Sequence, residues 1–174
     1  TTNANSINSK KKTFTARSAT LDVRGEKMND TAYITERTKT NNLTLLTDLY
    51  QLTMMNGYHL CGLDTRRAVF DVFYRGSGGY SYAIAAGLEQ AIDYIRNLHF
   101  DDTDIAYLRS LEIFGEEFLS ALKDFRFTGD IKAVPEGTMV FPYEPIVTVS
   151  APLWEAQLVE TALLTFINHQ TLIA

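Results

Sequence analysis

One cysteine, one tryptophan and four prolines among 174 residues exclude several structural classes at once. Cys61 has no second cysteine to pair with in this chain, so a disulfide-stapled scaffold is ruled out and a reducing compartment is the expectation. No apolar run approaches the ~18 uninterrupted residues of a transmembrane helix, and no signal-peptide core stands near the start. A soluble, cytoplasmic protein without a membrane partner is therefore expected. Phosphate-cradling signatures are missing too, since neither G-x-G-x-x-G nor a P-loop Lys-Ser/Thr occurs. Basic charge is scarce where the chain can fold. Residues 1–40 hold eight of the sixteen Lys and Arg but only four of the twenty-one acids, which leaves eight basic against seventeen acidic residues beyond them. Such an acidic body has no electrostatic footprint for nucleic acid.

What is present suits a single domain of ~150 residues. The chain is 45% hydrophobic, with ten Phe and nine Tyr to fill a core. Residues 1–41 are rich in Thr, Ser, Asn and Lys, with Phe14 and Tyr33 as their aromatics. They cannot bury enough surface to offset the entropy of ordering and are read as a disordered tail or linker. The Lys10-Lys11-Lys12 run is better explained as a solvated tail than as a targeting or polyanion-binding element.

The rest of the chain is organised around residues 43–58. Asp48 is a good N-cap, Gln51 stands three residues on for a capping box, and Leu46 can act as a staple. A helix is expected to about His59, with Gly62 as its stop. Tyr50, Met54 and Tyr58 share one stripe, and Leu49, Leu52, Met55 and His59 another. The second stripe anchors the helix to its own core. The first is left free to face a partner or a flat ligand.

Residues 68–74 are β-branched and aromatic and predict a strand covered on both faces. It empties into a glycine-rich segment at 75–79, where an ordinary tight turn is preferred to a phosphate cradle. An amphipathic helix is expected over 88–98. Asp101, Asp102 and Asp104 read as the capped, acid-rich start of a short helix at 105–110, in preference to a metal site. Residues 115–123 give a further helix, and short strands at 125–134, 138–141 and 146–150 suggest an antiparallel sheet. Residues 153–174 then form a mostly apolar, buried helix, with Pro152 at N1 and one polar stripe of Gln157, Glu160, Thr161, Thr165 and Asn168. The sequence stops within this helix without a cap, so a fragment of a longer protein is expected.

Two blocks carry a family resemblance. Leu46-Thr47-Asp48-Leu49-Tyr50-Gln51-Leu52-Thr53-Met54 resembles the opening helix of nicotinate phosphoribosyltransferases. Gln157-Leu158-Val159-Glu160-Thr161, with Pro135-Glu136-Gly137, Glu144-Pro145 and Ser150-Ala151-Pro152 before it, is similar to the block leading into their barrel. Between them, Phe73-Tyr74-Arg75, Gly78-Gly79-Tyr80 and Ala85-Ala86-Gly87-Leu88-Glu89 resemble the intervening segment. The resemblance implies an α+β fold: the open-faced α/β sandwich N-terminal domain of a type II phosphoribosyltransferase, truncated before its irregular α/β barrel. The expected divisions are a tail at 1–41, the sandwich at 42–151 and a helix leading into the missing barrel at 152–174.

The implied activity joins nicotinate to 5-phosphoribosyl 1-diphosphate, giving nicotinate mononucleotide and diphosphate in NAD salvage, coupled to ATP with Mg2+. The implied assembly is a homodimer in which one subunit's sandwich domain covers the other's barrel. Tyr50 would then lie against the pyridine ring, and Asp48 would order Tyr50 or touch the ribose. Arg75 is a phosphate-binding candidate, with an ion pair to an acid such as Asp71 preferred. Catalytic residues of the family belong to the barrel. None is therefore expected here, nor any metal or ATP ligand, and turnover by these residues alone is not expected. His169 is read as an interior, hydrogen-bonded histidine, and Gln157 and Glu160 as a polar network pinning the last helix to the sheet. Competing readings are a non-catalytic α+β interaction module and the nicotinamide or quinolinate branch of the superfamily. The string Thr47-Asp48-Leu49-Tyr50-Gln51 favours nicotinate.

Overall fold

The computed structural model describes residues 42–76 and 81–174, and the backbone of two short strands before them. Those strands, β1 (Thr20–Leu21) and β2 (Lys27–Met28), pair antiparallel. The expectation of disorder over the rest of residues 1–41, and the turn expected at 77–79, lie outside the described residues.

The centre of the fold is α5 (Leu153–Ile173), with nine buried positions among its 21 residues. Leu158, Val159 and Ala162 are fully sealed. A helix apolar around most of its circumference must be covered on several sides, and this one is. The sheet packs on one side of it, and α1 (Leu49–Leu60) and α2 (Leu88–Arg96) pack on others. The sheet is antiparallel in the order β3 (Arg67–Phe73), β7 (Pro145–Pro152), β5 (Asp130–Ala133). Its register places Phe70 opposite Val149 and Lys132 opposite Thr148, with a bulge between Val72 and Phe73. A second ladder joins β4 (Ala83–Ile84) to β6 (Met139–Val140). The remaining helices, α3 (Asp102–Ser110) and α4 (Glu116–Lys123), pack on each other. Among the described residues no helix is long and apolar enough to cross a membrane.

Mixed helix and antiparallel sheet agree with the α+β expectation. Several local readings need correction. β3 is not covered on both faces. As an edge strand it alternates, with Arg67, Val69, Asp71 and Phe73 exposed and Val69 at 62%. A continuous apolar run fits that position because its outward residues still border the groove beside α5. The short strands after residue 125 do not form one sheet. Residues 139–140 leave to pair with β4, and β3 fills the place beside β7. Phe125 belongs to the core, not a strand: its ring stands edge-on to Phe100 and Trp154, 5.7 and 5.2 Å between centroids. Pro152 is the N-cap of α5 rather than its first residue. His169 is exposed, because the core-facing positions on that turn of α5 are Phe166 and Ile167.

The acidic knot does what a capped helix start requires. Asp101 Oδ1 accepts from the Asp104 amide at 2.8 Å, and Asp104 Oδ2 accepts from the Asp101 amide at 3.2 Å, a reciprocal capping box. Asn42 Nδ2 donates to both carboxylates, at 2.9 and 3.1 Å, and so ties the chain entry to α3.

Tyr94 on α2 was not foreseen as a core residue. It is buried edge-on against Phe166, and its hydroxyl has no hydrogen-bond partner among the described residues. An unsatisfied buried hydroxyl costs about 1–3 kcal/mol, so Tyr94→Phe is expected to raise stability by about 1 kcal/mol in urea denaturation. Burial also pushes the phenol above its usual 10.0. A raised folded pKa means that, as pH rises past the ordinary phenol range, the unfolded chain ionises first and stability falls until the folded phenol ionises too. Alkaline destabilisation should therefore be weaker in the Phe variant than in the parent.

Candidate functional site

The open face of α1 supplies the site. Asp48 caps the helix by backbone position alone, in extended conformation and with no side-chain cap. The expected capping box does not form, because both of its side chains are used elsewhere. The Asp48 carboxylate accepts from the Thr161 hydroxyl on α5 at 3.1 Å, and the Gln51 carbonyl accepts from the Thr47 hydroxyl. Gly62, with φ +66°, follows the end of the helix as expected.

Leu52, Met55 and the fully buried Gln51 face inward. Leu49 was assigned to the core stripe but is half exposed, for it lies at the first turn where nothing covers it. Tyr50 is 48% exposed and Met54 39%, so the Tyr50 ring is presented outward from the domain. Its hydroxyl is not free to swing. It donates to Glu160 Oε1 at 3.3 Å and accepts from Gln51 Nε2 at 3.2 Å. Gln157 Nε2 donates to Glu160 Oε2 at 3.0 Å, and Tyr58 Oη donates to Gln157 Oε1 at 3.4 Å. The polar stripe of α5 thus pins that helix to α1, not to the sheet. The polar periodicity was legible in the sequence; its partner was not, since periodicity marks a face without saying what covers it.

A groove of about 510 Å³ runs between β3 and α5, with Glu160, Asp71 and Arg75 in its walls and Val159 and Leu163 in its floor. Arg75 makes no ion pair among the described residues. Asp71 instead accepts from Thr148 at 2.6 Å, and the Arg75 guanidinium lies 5.7 Å from the Phe73 ring centroid. A planar guanidinium over an aromatic face is a favourable cation–π contact, and it leaves the charge near solvent. Tyr50 and Asp48 are brought together with Glu160 on the α1–α5 seam, and Glu160 also lines the groove that holds Arg75. Among the described residues no group of three or more His, Cys, Asp or Glu side chains could hold a metal ion.

Two groups of the seam and core carry little mark of their role in the sequence. Gln51 has the spacing of a cap but is a buried bracket for the Tyr50 hydroxyl, and Glu155, buried on the first turn of α5, binds Thr128. The one available signal for Glu155 was an acid in the first turn of an otherwise apolar helix.

The domain is thus a layered α+β unit that presents an outward aromatic held by a polar seam. The same fold occurs in the solved nicotinate-nucleotide pyrophosphorylase from Pyrococcus furiosus, at a TM-score of 0.52 and 16% identity over 73% of this chain and 26% of that one. The crystal structure of human nicotinic acid phosphoribosyltransferase matches with a TM-score of 0.68 and 35% identity, covering 74% of this chain and 26% of that one. Residues 45–168 match the family model of the nicotinate phosphoribosyltransferase (NAPRTase) N-terminal domain. The chain belongs to that family. Nicotinate phosphoribosyltransferases of Mycobacterium tuberculosis and Bacillus subtilis are 46% and 45% identical over 131 and 137 residues, or 75% and 78% of this chain. The chain spans just over a quarter of these curated relatives, 28% of each.

Proposed function

We propose that this chain is the N-terminal part of an enzyme of NAD salvage that joins nicotinate to 5-phosphoribosyl 1-diphosphate with release of diphosphate. Its contribution is one wall of the pyridine site, completed by a neighbouring subunit in a homodimer. The observation that carries this reading is the Tyr50 ring, half exposed on its own subunit while its hydroxyl is fastened. A flat aromatic face tied down in this way suits stacking on a heterocycle, an interaction of about 0.5–1.5 kcal/mol beyond area burial. Asp48 serves the same face indirectly, joining the start of α1 to Thr161 and so setting where Tyr50 stands. Arg75 is open to a phosphate on one side and rests on Phe73 on the other. ATP and Mg2+ belong to the proposed whole reaction, and their binding is assigned to the rest of the enzyme. The transfer step is assigned to the remainder of the enzyme.

The test is steady-state kinetics of the full-length protein carrying this domain. Tyr50→Ala should raise KM for nicotinate about tenfold and leave the KM for 5-phosphoribosyl 1-diphosphate nearly unchanged. Equal KM for nicotinate in the parent and variant would remove Tyr50 from the site.

A further inference from the structure

The geometry points to Glu160 as a positioning residue that fixes the direction of the Tyr50 ring, an inference that rests on the reading of Tyr50 given above. A tyrosine on an open helix face ordinarily trades rotamers in solvent. Here its hydroxyl sits between Glu160 Oε1 at 3.3 Å and Gln51 Nε2 at 3.2 Å. Both neighbours are themselves held. Gln51 is fully buried, with its carbonyl accepting from Thr47, and Thr47 also reaches the Leu158 carbonyl on α5 at 3.4 Å. Glu160 is steadied through its second oxygen by Gln157, which is 4% exposed and is itself bound by Tyr58.

Each amide in this chain of contacts uses both its oxygen and its nitrogen within it, so the orientation of each is determined by the other partners. Apolar burial joins the two helices to the core as well, through Leu52 and Met55 on α1 and Leu158 on α5. Of the two tyrosines in the network, Tyr50 has the more open ring, half exposed where Tyr58 is partly buried. A carboxylate serves there because it accepts from Tyr50 and from Gln157 at once, which alanine cannot do and glutamine does only through its single oxygen.

Glu160 therefore acts through Tyr50, and its removal should show in substrate binding only while the phenol is present. The experiment is a double-mutant cycle in the full-length protein with Glu160→Ala, Tyr50→Phe and the pair, read as kcat and KM for nicotinate, with Tyr50→Ala and Tm measured alongside. Each single substitution should raise KM about threefold to fivefold with kcat changed less than about twofold, and the pair should match either single variant. Glu160→Gln, which keeps one acceptor and the volume of the side chain, should restore part of the loss. It also serves as the test variant if Glu160→Ala fails to fold. Equal KM effects of the Glu160 substitution in the parent and in the Tyr50→Phe background would overturn the positioning role while leaving the stacking role of Tyr50 intact. A Tyr50→Ala variant with unchanged KM would instead overturn the stacking reading, and the positioning role with it.

Discussion

Gly87→Ala is expected to destabilise the domain by about 3–5 kcal/mol, a fall in Tm of roughly 10–20 °C by differential scanning calorimetry. Two independent costs meet at this residue. Its φ of +98° lies where side chains are strained, at about 1–3 kcal/mol for a residue with a Cβ. A Cβ built there would also stand 2.6 Å from the Phe166 carbonyl oxygen and 3.2 Å from Ile167 Cα, both backbone atoms of the central helix. Neither can yield without moving α5 off α2. Gly87 is in addition the N-cap of α2 and has no side chain to cap with, so Glu136 caps from outside. The Gly87 amide donates to Glu136 Oε1 at 2.6 Å and the Leu88 amide to Oε2 at 2.9 Å. Pushing the helix start away from α5 would break this pair of charge-assisted bonds as well. Gly57→Ala is the matched control: it lies within α1 with nothing inside 4 Å of a built Cβ, and alanine there should stabilise by about 0.5–1 kcal/mol. If Gly87→Ala melted with the parent, the close approach of α2 to α5 would be wrong.

The elements that could be read from sequence were those decided by local chemistry. The start and stop of α1, the acid-capped start of α3 and the apolar character of α5 each follow from caps and periodicity over fewer than about twenty residues. The pairing of β3 with β7, across some seventy intervening residues, carries no such local mark, and an apolar edge strand looks like a buried one until its neighbours are known. The site divides in the same way. Tyr50 could be picked out because the register of its helix freed one stripe, and it is exposed as that register requires. The polar stripe of α5 was equally plain, yet what it grips depends on how two helices 110 residues apart are set against each other. Gln51 shows the difference most clearly. Three residues after Asp48 it has the spacing of a capping box, and local rules alone would place it there. Burial at the α1–α5 seam offers it better partners in Thr47 and Tyr50, and tertiary packing decides.

The second large effect is expected at Glu155, where alanine should cost about 2 kcal/mol in urea unfolding. Its carboxylate is 4% exposed yet carries two hydrogen bonds from one residue, the Thr128 amide to Oε2 at 2.6 Å and the Thr128 hydroxyl to Oε1 at 2.9 Å. Thr128 is an exposed residue in the segment that brings the chain from the core ring of Phe125 to β5. The next residue, Gly129, is pressed so closely that a Cβ on it would stand 2.3 Å from Ala151 Cβ. Removing the carboxylate would leave the Thr128 amide without its acceptor beside this crowded backbone, at about 1–3 kcal/mol, whereas the hydroxyl of the exposed Thr128 can turn to water. The first turn of α5 also loses an acid placed to favour the helix dipole, a smaller effect of about 0.3–1 kcal/mol. Glu155→Gln should lie between, since its oxygen can still accept from the Thr128 amide while its NH2 group faces the hydroxyl. In Thr128→Val the hydroxyl is already gone, so Glu155→Ala should cost less there than in the parent, and native-state hydrogen exchange should show β5 opening first. An equal cost of Glu155→Ala in both backgrounds would mean that the carboxylate supports some other part of the fold.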